Sequence, residues 1–219
     1  MSKKAVLFSE MTPQTEWETD FNEWYDTEHI PVRMGAPGFN GAQRYRNTES
    51  PAYLAVYELA SSTTLSTPEY RLIKGAPSDR TKRMLRDVSG FTRYIGEEMG
   101  SWEKPGSPGI DAPILYAVFF DVPAERADEF NRWYEDDHIP TLMKCAGWLM
   151  VRRFEIVDGE PGHFSHLALH YLASADALKS PERDEARASP WRAKLAAEPW
   201  FKGQYAVFGK TGERFHPTA

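Results

Sequence analysis

Phe21-Asn22-Glu23-Trp24-Tyr25-Asp26-Thr27-Glu28-His29-Ile30-Pro31 returns later in the chain as Phe130-Asn131-Arg132-Trp133-Tyr134-Glu135-Asp136-Asp137-His138-Ile139-Pro140. Seven of the eleven positions are identical at an offset of 109 (130 − 21), and Glu28 against Asp137 exchanges one carboxylate for another. Working outward, the register holds through Gly38/Gly147, Phe39/Trp148, Arg44/Arg153 and Tyr45/Phe154. It resumes at an offset of 113 (166 − 53), where Tyr53 to Ser61 answers His166 to Ser174 and Leu65, Pro68 and Glu69 answer Leu178, Pro181 and Glu182. The change of offset falls in the turn around Asp158-Gly159-Glu160-Pro161-Gly162, where inserted residues cost little. Self-similarity this long reads as a tandem duplication.

Each copy has one order of elements. Ala5 to Ser9 and Ile114 to Asp121 are short Val- and Phe-rich runs and read as strands. Glu16 to Ile30 and Ala124 to Ile139 carry aromatics at helical spacing and are expected to stop before Pro31 and Pro140. Second strands follow at Gly41 to Arg46 and Trp148 to Ile156, and third strands at Tyr53 to Leu59 and Ser165 to Leu172. A second helix begins near Leu65 or Ala175, and Tyr94-Ile95 or Tyr205 to Phe208 closes the unit. The order βαββαβ is the ferredoxin-like split unit, an α+β fold with helices on one sheet face only. The other face needs a partner, and the second copy is the obvious one. The expected organisation is therefore residues 1–99 as the first unit, 100–113 as a Pro- and Gly-rich linker, 114–209 as the second unit and 210–219 as a tail.

Composition narrows the functional classes. The 219 residues are 41% hydrophobic and 26% charged, an ordinary globular balance. Twenty-six basic against thirty-two acidic side chains leave a net charge of -6, which gives no general attraction to nucleic acid or anionic membranes. A single cysteine, Cys145, fits a reducing compartment, and no apolar run approaches the roughly 20 residues that span a bilayer. A soluble, cytoplasmic protein is expected. Gly-x-Gly-x-x-Gly, phosphate-loop, Gly-x-Ser-x-Gly and His-Glu-x-x-His patterns are absent from the sequence.

Trp-Tyr followed four residues later by His-Ile-Pro, on the first helix of a βαββαβ unit of about 100 residues, resembles the dimeric α+β barrel superfamily, and within it the EthD-like branch. The resemblance covers residues 4 to 98 and 113 to 209. It implies two units packed sheet against sheet, here fused in one chain as an intramolecular barrel, with an apolar cavity and a functional helix histidine, His29 or His138. It also implies a range of chemistries: cofactor-free monooxygenases, isomerases, cyclases, dehydratases and decarboxylases, besides haem-dependent branches. Fold alone does not choose among them.

Strand parity supplies candidates for the cavity. Leu54, Val56, Leu167 and Leu169 share one face and suit a core beneath the helices. Tyr53, Ala55, Tyr57, His166, Ala168 and His170 share the other, expected to line a cavity or a dry interface between sheets. By the same parity Tyr45 and Phe154 go to the helix side, and Arg44 and Arg153 to the cavity side as anchors for a carboxylate or phenolate. An arginine simply paired to a carboxylate is the plainer alternative. On the helix, at 100° per residue, Phe21, Trp24, Tyr25 and Glu28 form one stripe with His29 on its flank. Trp24, Trp133 and Tyr134 belong to such aromatic stripes, which are usually core. Glu28 and Asp137 sit where a hydrophobe is expected, so they either bond backbone at the helix end or carry a raised pKa.

The second copy concentrates histidine, with His138, His166 and His170 where the first has His29, Tyr53 and Tyr57. General acid–base work near neutrality favours that copy. The leading expectation is a cofactor-independent lyase or isomerase acting on a small aromatic or polyketide-like acid. Histidine moves the proton, and arginine and tyrosine hold the substrate. The alternatives are an oxidoreductase, either a cofactor-free monooxygenase or haem-dependent, and a non-catalytic binder of small molecules. A metal bridging His166 and His170 is disfavoured, because four strand residues span about 13 Å. A homodimer of such barrels is a further option.

Overall fold

The computed structural model describes residues 2–218. The first repeat forms β1 (Ala5–Thr12), α1 (Glu18–Trp24), a π-helical turn (Tyr25–His29), α2 (Ile30–Met34), β2 (Phe39–Asn47), β3 (Tyr53–Leu59), α3 (Pro68–Gly75), α4 (Asp79–Asp87) and β4 (Ser89–Glu103). The second forms β5 (Ile114–Phe120), α5 (Ala127–Trp133), a π-helical turn (Tyr134–His138), α6 (Ile139–Leu142), β6 (Trp148–Glu160), β7 (His166–Leu172), α7 (Pro181–Arg187), α8 (Pro190–Ala196) and β8 (Gln204–Phe215). The strands hydrogen-bond in the cyclic order β1-β3-β2-β8-β5-β7-β6-β4, a closed eight-stranded antiparallel barrel. The fold is α+β, built of fused ferredoxin-like units.

Two compact units emerge. The first comprises 2–98 with 157–162 and 211–218, the second 99–156 with 163–210. Gly100 to Glu103, expected in a linker, instead continue β4, and Lys210 to Phe215, expected in a tail, continue β8. Among the described residues no helix is long and apolar enough to cross a membrane.

The helices also depart from expectation. Neither helix stops at the proline: Pro31 and Pro140 open a fresh α segment just beyond a π turn. A proline lacking N–H is tolerated in such a first turn. The π turn holds one more residue than an α turn and so rotates everything after it. His29 swings inward and is buried against Trp24 and Tyr25, with ring centroids at 4.3 and 4.8 Å. Glu28, expected in the buried stripe, moves to its edge and accepts hydrogen bonds from Ser78 Oγ and, at 2.8 Å, Thr81 Oγ1. Asp137 likewise accepts from Ser189 Oγ at 2.6 Å. Ser78 and Ser189 are the N-caps of α4 and α8, so both carboxylates tie the long helix to a following one and have a structural task. Ser189→Ala, which removes cap and tie together, is expected to cost about 1–2 kcal/mol in urea unfolding.

The face assignment of the sheet is reversed from the one expected. Tyr53, Ala55 and Tyr57 cluster with Phe21, Trp24 and Tyr25, beneath the helices of their own unit. Ala168 packs with Phe130, Trp133 and Tyr134 in the same way, and His166 lies edge-on to Phe130. The register agrees, since Tyr57 is opposite Leu7 and Ala42, both in that cluster. Parity sorts side chains into two sets but leaves open which set meets the helices. Here an aromatic helix with polar flanks takes the face whose ring tips can be hydrogen-bonded. Val6, Phe8, Leu54 and Val56 are buried on the face away from the helices.

Candidate functional site

Arg44 and Arg153 follow the reversed face and lie under the helix. Arg44 reaches Asp26 Oδ1 at 2.7 Å and Asn22 Oδ1 at 2.6 Å, with its guanidinium 4.6 Å from the Tyr25 ring centroid. Arg153 repeats this with Glu135 at 2.7 Å, Asn131 at 2.6 Å and the Tyr134 ring at 4.6 Å. The terminal nitrogens are spent on the helix, so the plainer alternative describes the geometry and neither is a free anchor. Tyr53 is similarly occupied: its hydroxyl donates to Glu18 Oε1 at 2.6 Å and accepts from Asn22 Nδ2 at 3.2 Å. His166 Nδ1 meets Ser165 Oγ at 2.9 Å, and burial followed by Arg153 holds its pKa down at about 4. Neither Tyr53 nor His166 lines the second unit's pocket.

The second unit has a small, half-open pocket of about 40 Å³ between sheet and helices. Of the expected residues, Trp133, Tyr134, His138 and His170 line it, with Trp148, Tyr116, Tyr205 and Phe201 completing an aromatic wall. One chain of hydrogen bonds fixes its polarity. Trp148 Nε1–H can only donate, and it donates to His170 Nδ1 at 3.1 Å. Burial keeps His170 neutral, its pKa well below the usual range, so its single proton sits on Nε2 and is donated to the Tyr134 hydroxyl at 3.0 Å. The Tyr134 proton is then left for whatever occupies the pocket. Burial raises the Tyr134 pKa, so the phenol stays a donor.

Two further groups are incomplete. Trp133 Nε1–H is buried with no acceptor. His138 bonds the Ala186 backbone through one ring nitrogen, while its Nδ1 is enclosed without a partner. Burial, then the charge of Arg192, pushes the His138 pKa down to about 3, so at neutral pH Nδ1 carries a bare lone pair. The pocket thus presents two donors without an acceptor beside one acceptor without a donor. Buried polar groups are rarely left so, and functional sites are where they are.

The first unit lacks this set. Phe39 and Tyr57 stand where Trp148 and His170 are, so no ring N–H starts a relay. Tyr57 is fully buried, and its hydroxyl lies near Tyr25 without bonding geometry. Trp24 Nε1–H donates to Thr81 Oγ1 at 2.9 Å and is satisfied. Thr81 is the third residue after the N-cap serine, and the second unit has Arg192 there, which is why Trp133 is unpaired. A larger hollow of about 310 Å³ borders Tyr25, His29, Tyr57, Tyr70, Arg33 and Lys74. His29, held neutral by burial and by Arg33 and Arg44, has an unpartnered Nδ1 there.

A haem does not fit the second unit's pocket, whose volume is far too small for a porphyrin. An axial imidazole must present a nitrogen to an open plane. Both His170 nitrogens are engaged, and the space before His138 Nδ1 is closed to such a plane by the Trp133 ring at 4.8 Å. No group of three or more His, Cys, Asp or Glu side chains is placed to hold a metal ion among the described residues.

Residues 113–208 match a family described as a domain of unknown function (DUF4286). No curated protein matches the chain. Among solved structures, an anthrone oxidase-like protein superposes with a TM-score of 0.70 at 11% identity, covering 100% of this chain and 95% of its own. A Fusobacterium nucleatum protein provisionally assigned as a monooxygenase gives 0.64 at 10%, covering 98% and 95%. A Listeria monocytogenes ferredoxin-fold protein related to antibiotic biosynthesis monooxygenases gives 0.54 at 10%, covering 97% of each chain. At these identities the likeness is one of fold, to ferredoxin-like α+β barrel proteins.

Proposed function

We propose that the second unit is the working site of a cofactor-independent oxygenase acting on an aromatic small molecule with an acidic C–H beside a carbonyl. The observation that carries this reading is the unmatched set of two donors and one acceptor. A carbonyl oxygen between Trp133 Nε1–H and the Tyr134 hydroxyl is stabilised as it becomes an enolate. The C–H proton passes to His138 Nδ1. The electron-rich carbon then bonds to O2 and His138 returns its proton to the outer oxygen, giving a hydroperoxide. His138 takes the second C–H proton as C=O forms and the O–O bond breaks, and the departing hydroxide receives that proton as water. One CH2 and one O2 become one C=O and one H2O. The alternative expected from sequence, a lyase or isomerase, shares the proton transfer and stops before oxygen. The names of the similar structures favour the oxygenase, and the aromatic wall suits a fused-ring ketone.

An oxygen electrode tests the reading. With a hydroxylated anthrone as probe, O2 uptake is expected to match quinone formation one to one, and His138→Ala is expected to lower the rate by about 10²-fold or more. Turnover without O2 uptake would return the assignment to lyase or isomerase. Uptake no faster than in protein-free buffer would end it. We also read the chain as a tandem duplication of an EthD-like unit, supported by the π turn that both units carry at the same motif.

A further inference from the structure

Several arginines are neutralised by a carboxylate. Arg44 has Asp26, Arg153 has Glu135, and elsewhere Arg80 has Asp20 and Arg126 has Glu129. Three do not. Arg183 and Arg187, four residues apart on α7, and Arg192, on α8, line the second unit's pocket, and among the described residues none has an ion-pair partner. Of the three α7 carboxylates, Glu185 pairs with Lys144 at 2.8 Å, and neither Glu182 nor Asp184 forms an ion pair among the described residues. Like charges at this helical spacing repel, so the arrangement is unfavourable until something neutralises it.

The three are held in place. Arg183 donates to the Leu178 carbonyl at 2.8 Å and bonds the Tyr116 hydroxyl in the pocket wall. Arg192 donates to the Arg187 carbonyl at 3.3 Å, and its guanidinium lies 5.6 Å from the Phe201 ring centroid. Their charges converge, since all three act on His138. Just inward is Trp133 Nε1–H, buried and without an acceptor. The first unit has Tyr70, Lys74 and Thr81 at the matching positions, so the cluster belongs to the second unit alone.

We propose that Arg183, Arg187 and Arg192 form the receptor for a carboxylate carried by the aromatic ligand of the second unit. Guanidinium forks match the planar carboxylate with paired charge-assisted hydrogen bonds, and the aromatic wall takes the ring. This assigns a substrate class, aromatic acids, to the site proposed above and rests on that pocket being the one that binds. Both acid-anchoring arginines expected from the strands are replaced by three from the helices.

Anaerobic titration without turnover separates this from the oxygenase reading, with Trp133 and Trp148 fluorescence or calorimetry as readout. 2-Naphthoate is expected to bind at least tenfold more tightly than neutral 2-naphthamide, with the difference shrinking in high salt. Arg187→Gln and Arg192→Gln are each expected to raise the naphthoate Kd about tenfold and to change the naphthamide Kd less than twofold. Lys194→Gln, whose lysine pairs with Glu129 on the surface, should move neither beyond twofold. Equal affinity for acid and amide, or equal loss in Lys194→Gln, overturns the receptor. 2-Naphthyl phosphate binding tenfold more tightly than naphthoate overturns the carboxylate assignment. Naphthoate binding as expected in a protein that consumes no O2 leaves the receptor standing and removes the oxygenase.

Discussion

Lowering the pH from 7 to 5 is expected to reduce the melting temperature by about 15 °C or more. His29, His138, His166 and His170 are all held below their ordinary range, with burial the first cause in each. A depressed imidazole pKa means that the unfolded chain gains protons, as the pH falls through about 6.5, that the folded chain does not. Each such histidine therefore removes about 2 kcal/mol of stability at pH 5, and the loss continues down to its folded pKa. That value is about 3 for His138 and about 4 for His166. Glu10 opposes this, because burial raises its pKa and it returns stability as the solution acidifies. One carboxyl does not offset four imidazoles. The sum is comparable with the 5–15 kcal/mol that holds a typical domain together. Thermal melts followed by near-ultraviolet dichroism between pH 5 and 7 decide the matter. A flat profile would mean that the folded protein takes up these protons as readily as the unfolded chain, which the Trp148–His170–Tyr134 relay, holding His170 neutral, does not allow.

Tyr134→Phe is expected to lower kcat by about 10²–10³-fold, the usual loss when one preorganised donor to a developing oxyanion is removed. The substitution keeps the ring, and with it the packing on Phe130 and the guanidinium of Arg153. It leaves the His170 Nε2–H without its acceptor, so a stability cost of about 1–3 kcal/mol accompanies it. Tyr25→Phe in the first unit is the matched comparison. Tyr25 has the same neighbours in kind, Phe21 and Arg44, but Tyr57 stands where His170 does, so no imidazole donates to its hydroxyl. Its loss should change kcat less than twofold. Equal effects of the two substitutions would show that both units turn over substrate, and no effect of either would remove the tyrosine from the chemistry.

The repeat made the order of elements, the pairing of helix with sheet and the two sets of strand residues readable directly from the chain. It could not show which set faces the helices, because alternation has period two and no sign. Nor could it show the π turn, since a helical wheel assumes 100° at every step. That assumption put Glu28 inside and His29 on the flank, and one surplus residue exchanged them. The arginines of α7 and α8 are interspersed in the chain with Glu182, Asp184 and Glu185, which gives no sign of a one-sided cluster. Comparison of the copies held the missing signal. Thr81 against Arg192 is the one exchange that both frees a buried indole and adds a cation. Phe39 against Trp148 with Tyr57 against His170 marks the relay in the same way.

The π turn also gives length a meaning that composition does not have. A chain lacking one residue between Tyr134 and His138 could close that segment with ordinary α-helical bonds. His138 and everything beyond it would then turn by about 100° relative to Tyr134. Such a descendant would keep each ring and imidazole of the pocket and still be chemically inert. When relatives of this chain are compared, the spacing from tyrosine to histidine is therefore a better marker of a living site than the presence of either.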